Sequence, residues 1–461
     1  MAYSLTEKTV IRAGFGIFYE QAFYPGWNGG ITSDGFNANP SFSSSLGGLA
    51  PAFLLQNGFP QNFVHPPVIS SSFDNGQYAP NYRPFDANRL PYTSQWDLVI
   101  EHQFTHNFYI NLMYLGNKGT RLLDMTAPPN VLNPSLLSMG NKLYDQFSPG
   151  QTMLDGVPIP YAGWTQQMTA CTPNVAQALL PFPQYCGNIY PLNENAGNSS
   201  YHSLQIKVEK RVSNGLWLLA NYTHAKDLTD TDSIQTASLL WGGLAGVISP
   251  YERKRNKGYS AGDNPEYFTL SLIYELPLGM GKRFLNKGGP VNGVLGGWQM
   301  ATIIHANAGW PLWFRAADCN IPGQFAEACL PGIKPGVNPF AQNPGSFDPG
   351  KGPLLNPAAF ESPTDFNFYQ GNGTRITSLR VFPDRNQDFS LTKNFRLTEK
   401  YSFQFRAEAF NLWNWHFFAP PGSTGTGANP VDTNVGSATF GNWLGATSYP
   451  RVFQFGAKIL F

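Results

Sequence analysis

Apolar and polar side chains take turns at every second position in repeated stretches of this chain, a period that predicts β-strands with one greasy face. Tyr401, Phe403, Phe405, Ala407 and Ala409 interleave with Ser402, Gln404, Arg406 and Glu408. Leu204, Ile206 and Val208 interleave with Gln205, Lys207 and Glu209, which does not suit a strand buried on both faces. At the C-terminus Phe453, Phe455, Ala457, Ile459 and Phe461 alternate with Val452, Gln454, Gly456, Lys458 and Leu460. About ten strands are predicted on this basis, near residues 8–20, 93–104, 107–118, 201–212, 215–226, 266–276, 297–308, 387–395, 401–412 and 450–461. Their length is close to the roughly 9–11 residues that a tilted strand needs to cross a bilayer.

The links between them alternate in length. Short ones at 105–107, 213–215, 277–296 and 396–400 take turns with long ones at 21–91, 124–199, 227–264, 309–386 and 413–449. A compact soluble domain rarely holds structureless loops beyond about 15 residues, whereas a transmembrane barrel has short turns at one rim and long loops at the other. The predicted fold is therefore all-β, an antiparallel transmembrane β-barrel with long extracellular loops. With the C-terminus on the periplasmic side, every long link falls outside. One short helix is expected within the second of them, near Pro134–Phe147.

Composition narrows the class further. Only 13% of residues are charged while 15% are aromatic, a balance unlike that of a cytosolic enzyme. The 47 Gly and 38 Pro imply much loop and little helix. No run approaches the roughly 18 apolar residues of a membrane helix, and mean hydropathy is −0.25; a barrel escapes such averages because only every second strand residue meets lipid. A net charge of +1 gives no field to gather nucleic acid, which is not expected as a partner. The four cysteines form two local pairs in Gly/Pro/Asn-rich loops, Cys171 with Cys186 and Cys319 with Cys329. Such pairs suit two structural disulfides made in an oxidising compartment, and neither has the spacing of a zinc or redox motif. Both lie in long, hence external, links. Strand-like sequence begins almost at Met1 with no apolar leader before it, so the chain is expected to be the C-terminal portion of a longer polypeptide.

Candidate chemistry is sparse. Gly258-Tyr-Ser-Ala-Gly262 has the spacing of a hydrolase elbow, but that device needs a buried strand before it and a helix after it; here a basic run precedes and Asp263-Asn-Pro265 follows. Arg253, Lys254, Arg255 and Lys257 read as a solvated loop or as a seat for lipopolysaccharide phosphates. Asp227, Asp230 and Asp232 lack the Gly and terminal Glu of a calcium loop. The seven histidines are scattered without metal-ligand spacing, and neither a catalytic site nor a cofactor is expected. Tyr19, Trp96, Tyr114, Tyr222, Tyr274, Trp298 and Trp413 stand near strand ends, where interfacial aromatic girdles belong. Among the loop aromatics Trp27, Trp164, Trp241, Trp310, Trp415 and Trp443, most are expected to pack the loops and one or two to contact ligand.

The order of segments resembles the C-terminal half of the barrel of TonB-dependent receptors, in particular the Oar-like group. The resemblance rests on Ser213–Lys226, Tyr274–Arg283, Gly297-Trp-Gln, Asp388–Phe395, Phe403–Asn411 and the closing Phe461. It implies a 22-stranded barrel around a plug, with residues 1–461 as one C-terminal portion lacking the plug, signal peptide and TonB box. It also implies uptake of a scarce nutrient, such as an oligosaccharide, peptide or siderophore, driven through TonB. The final strand with Phe453, Phe455, Ala457, Ile459 and Phe461 would be read by the barrel-assembly machinery. Outer-membrane lipid and lipopolysaccharide would surround the wall, and lumen-facing Lys207, Glu209, Glu275, Arg406 and Glu408 would contact the plug. The competing readings are a passive porin-like barrel closed by these ten strands, and a soluble extracellular β-rich adhesin or sugar-binding protein.

Overall fold

The computed structural model describes residues 1–19, 41–62, 72, 74–77, 89–122, 130–187, 189, 195–213, 215–231, 251, 253–286, 288–314, 331–361, 376–396, 398, 400–419 and 430–461. One antiparallel sheet runs through eleven strands in strict chain order, and a twelfth, the two-residue strand Gly258–Tyr259, pairs with the end of the sixth. The eleven are β1 (Ala2–Thr6), β2 (Thr9–Tyr19), β3 (Tyr92–Thr105), β4 (Phe108–Leu122), β5 (Gly197–Ser213), β6 (Leu216–Thr229), β7 (Glu266–Glu275), β8 (Trp298–Asn307), β9 (Asp384–Arg396), β10 (Ser402–Phe410) and β11 (Val452–Leu460). Ten coincide with the alternating segments. The addition is β1, which pairs with β2 through the turn at Glu7 and Lys8. The sheet order has two ends, β1 and β11, so a barrel closed by these strands is not what the structure shows.

Cross-strand partners point to the same face of a sheet, and the register sorts the side chains into two surfaces. One carries Ile11, Phe15, Trp96, Leu98, Ile100, Leu112, Leu204, Ile206, Leu218, Leu270, Leu272, Met300, Leu391, Phe405 and Phe455. Trp96, Tyr114, Tyr222, Tyr274 and Trp298 belong to it as well. This band is exposed: Phe455 and Phe15 each keep 71% of their surface accessible. Charges are not wholly confined to the opposite face, however. Lys118, Lys210, Lys226, Glu266, Arg385 and Lys393 share the apolar side by register. All stand near strand ends, where a long side chain reaches the headgroup level and the cost of a charge falls.

All connections at one edge of the sheet are short, and all at the other are long, because each strand reverses the last. The C-terminus leaves β11 at the short edge. Among the described residues nearly all of the buried apolar side chains belong to the long links, with only Val99, Ala225 and Ala409 contributed by the eleven strands. A barrel wall needs lipid, not a protein core, on its greasy side; the loops, surrounded by water, have to build cores of their own.

Candidate functional site

The polar face and the loop cap above it make up the candidate site. By register Lys207, Glu209, Glu275, Arg406 and Glu408 all lie on the polar face, and one row runs Glu275, Gln299, Thr392, Arg406, Gly456 across five strands. These side chains form short ion-pair runs along the strands. Glu209 receives Lys207 at 3.3 Å and Arg211 at 3.2 Å, Arg406 meets Glu408 at 3.3 Å, and Lys282 meets Glu275 at 2.9 Å. Arg12 and Asn111 converge on Glu101 from the neighbouring strands. The result is a ribbed, wet surface of mixed sign. Half-exposed pairs of this kind contribute little to stability, but they present hydrogen-bonding groups to whatever lies against the polar face.

The first loop core packs Leu132, Leu143, Phe147, Trp164, Val175 and Leu180 between β4 and β5. Trp164 is fully buried and its indole N–H donates to the Pro183 carbonyl at 2.9 Å. Thus this loop tryptophan packs its loop. The expected helix is a 3₁₀ helix, Pro134–Tyr144, entered through the Asn133 cap and broken at Gly140, where φ is +58°. Cys171 and Cys186 form a disulfide with Cα atoms 5.6 Å apart, and both pack on this core. Cys319 and Cys329 lie outside the described residues, as do Trp27, Trp241 and Asp232.

The second core combines Leu312, Phe314, Leu354, Leu355, Phe360, Val381 and Phe382 from the β8–β9 link with Val431 and Phe440 from the β10–β11 link. Trp310 and Trp443 pack against it, while Arg385 stacks its guanidinium 4.6 Å from the Trp415 ring. Burial pushes the Asp432 carboxyl up, yet hydrogen bonds from Ser437, Thr439 and the Asn434 backbone N–H together hold it below the ordinary carboxylate range.

Contacts between links join the cores into one cap. Gly76, from the β2–β3 link, accepts backbone N–H groups from Thr169 and Ala170. It sits at φ +73°, and any Cβ there would run into the Gln167 carbonyl, so only glycine permits this approach. The Tyr251 hydroxyl donates to Val131 O at 2.7 Å. Arg380 reaches Asp263 and the Gly309 carbonyl. None of these links was foreseen from the sequence, and no periodicity announces them.

The remaining motifs resolve locally. Ser260 accepts the Gly262 N–H at 3.2 Å, and a strand, β7, follows where an elbow requires a helix. Residues Arg253–Asn256 form a 3₁₀ turn. Lys257 shares a cavity of about 250 Å³ with Lys118, Asp230 and Asn198 at the long-loop edge. Asp230 is engaged by the Asn198 N–H.

A family model described as outer membrane beta barrel domain matches residues 1–454. No curated protein sequence matches the chain. Solved structures similar to it include the ferric-catecholate import receptor Fiu of E. coli K12, at 9% identity and TM-score 0.39, over 100% of this chain and 34% of that one. The outer membrane transporter YddB of Escherichia coli aligns at 9% identity and TM-score 0.37, over 98% and 38%. BauA, the ferric preacinetobactin receptor of Acinetobacter baumannii, aligns at 10% identity and TM-score 0.36, over 100% and 35%. The chain thus spans about a third of the length of the solved structures that it matches.

Proposed function

The chain belongs to the outer membrane beta barrel domain family, and from that premise we propose that it forms part of the wall and external mouth of a TonB-dependent receptor of the Oar-like group. Its place is the bacterial outer membrane. The observation that carries the reading is the partition seen in the sheet: an exposed apolar band on one face, a ribbed ionic surface on the other, and every long connection leaving from one edge. A passive pore needs the wall but not a loop cap with two hydrophobic cores of its own. A soluble adhesin would leave the apolar band in water, which large exposed patches do not tolerate in monomeric proteins.

In this reading residues 1–461 are a C-terminal portion of the barrel, and Lys207, Glu209, Glu275, Arg406 and Glu408 face a plug that occupies the lumen. Their mixed charges would bind the plug through separable ion pairs, whose strength falls with hydration and salt. That is the character an interface needs if energy delivered through TonB has to loosen it. The loop cap would capture an oligosaccharide, peptide or siderophore. The terminal strand with its alternating Phe453, Phe455 and Phe461 would be recognised during barrel assembly, and Lys118 and Lys257 would meet lipopolysaccharide phosphates.

The test is disulfide cross-linking in the intact receptor. Cysteines placed at Lys207 and Arg406 should cross-link to cysteines on the plug, and uptake of the nutrient should cease when TonB is deleted. Labelling of both positions only by lipid-soluble reagents would overturn the assignment.

A further inference from the structure

The link at 276–297 differs from its neighbours at the short edge. The others span only a few residues, whereas this one folds into a loop closed by a parallel bridge between Leu278 and Phe284, followed by a helix, Pro290–Leu295. Phe284 donates its N–H to Pro277 O, and Gly279 donates back to Phe284 O, both at 2.9 Å. The Asn292 side chain accepts the Met280 N–H at 2.7 Å, which ties the helix to the bridged loop. The unit is therefore a built structure and not a slack loop.

Its position is fixed by two residues on the apolar face. Trp298 and Lys393 are cross-strand partners on β8 and β9. The Trp298 indole N–H donates to the Val294 carbonyl at 2.9 Å. The Lys393 ammonium donates to Gly293 O and, at 2.9 Å, to Val294 O. Its Nζ also lies 5.4 Å from the Trp298 ring and 4.7 Å from the Phe395 ring. Lys393 is only 3% exposed. A lysine that would otherwise point from the wall into lipid is thus closed over by carbonyls at the end of the helix, where a cation is favoured. The helix consequently sits outside the wall, on its greasy side.

What the helix turns outward is apolar. Val291 is 55% exposed, Val294 65% and Leu295 45%, with Met280 at 69% and Phe284 at 51% on the bridged loop. This surface continues the lipid-facing band, since the Trp298 ring contacts Phe405 and Phe405 stacks on Phe455. The link contains no Asp or Glu, and its charges, Lys282, Arg283 and Lys287, are all positive. Apolar residues with cations beside them are the composition of a segment lying in a membrane interface.

We propose that this link is an interfacial foot: the helix lies in the plane of the periplasmic leaflet, with Val291, Val294 and Leu295 among phospholipid acyl chains and Lys393 as its tether to the wall. The tether and the foot are one device. Lys393 supplies the partner for the helix carbonyls, and the helix hides the ammonium from hydrocarbon.

The test uses the intact protein reconstituted in phospholipid vesicles. An environment-sensitive fluorophore is attached to Val294→Cys, with Phe455→Cys as a lipid-facing reference and Lys400→Cys, in the neighbouring short turn, as a water-facing one. Brominated acyl chains should quench the labels at 294 and 455 and spare that at 400, whereas iodide should do the reverse. Iodide quenching at 294 without bromolipid quenching overturns the proposal, including the case in which a periplasmic protein covers the helix in whole envelopes. In Lys393→Gln the label at 294 should become open to iodide while that at 455 stays lipid-quenched; unchanged lipid quenching at 294 overturns the tether. Should that variant fail to insert, which the label at 455 reports, Trp298→Phe removes the N–H to Val294 and trims the ring beside Lys393 while leaving the ammonium in place, and it should shift the label at 294 part of the way toward iodide. No shift there overturns the docking.

Discussion

The guanidinium of Arg380 donates to the carboxylate of Asp263, a residue 117 positions earlier in the chain. The pair is nearly enclosed, with side-chain exposures of 19% and 1%, and Arg380 also donates to the backbone carbonyls of Asp263 and Gly309. It ties the β6–β7 link to the β8–β9 link at the base of the cap. Removing one partner of a buried pair leaves the other charge uncompensated, at a cost of about 3–5 kcal/mol. Asp263 retains a bond from the Asp227 N–H, so the lower end applies to Arg380→Met. Hydrogen exchange near residues 258–263 and 309–314 should accelerate by roughly a hundredfold. Exchange in β3 to β5 should not change. Uniform acceleration across the sheet would mean that the pair holds the wall and not the cap.

Ser271 and Leu272 are neighbours on β7 that face opposite sides of the sheet. Arginine at Leu272 would put a charge among lipid chains, costing about 2–4 kcal/mol near the midplane. Arginine at Ser271 would join the ionic face and should cost little. The heat-modifiable folded fraction in membranes should fall sharply for Leu272→Arg and hardly at all for Ser271→Arg. Equal losses would refute the assignment of faces.

Such faces were legible before the structure because a strand's period is short and local: Leu204, Ile206 and Val208 declare their side within five residues. β1 was missed because Tyr3 and Leu5 alone are too few to set a period. The loop cores were not legible, since Leu132, Trp164 and Val175 meet through tertiary folding with no repeat to mark them. Lys393 shows a different failure. It shares parity with Phe389, Leu391 and Phe395, and a rule placing charges opposite the aromatics passes over it; only the docked helix explains how it stays there.

The Cys171–Cys186 disulfide closes a separation of 15 residues within the first loop core. In the chain-entropy account a closure of that size stabilises by about 3 kcal/mol. Replacing both cysteines by alanine should make residues 131–180 susceptible to limited proteolysis, while the strands keep their protection and the protein still migrates as a folded barrel. Loss of the folded band would show that the first core supports the wall itself.

Acid should act on the two loop cores with opposite sign. In the first, a hydrogen bond with Asp155 is the main cause that holds the Asp145 carboxyl above its ordinary value. A group whose pKa is raised on folding binds more protons in the folded state, so its contribution is present below the unfolded value and is lost as pH rises through the raised one. In the second, the Asp432 carboxyl is held low by the bonds from Ser437, Thr439 and Asn434, which together outweigh burial. Its contribution is present above the unfolded value and is lost as pH falls through the depressed one. Acidification from neutral through the carboxylate range should therefore raise protection from exchange, relative to the intrinsic rate at each pH, around residues 142–157 and lower it around 431–442. Asp155→Asn should abolish the first trend and Asp432→Asn the second. If both regions loosen together in acid, the response belongs to the wall or to the whole cap, and these two carboxyls do not govern it.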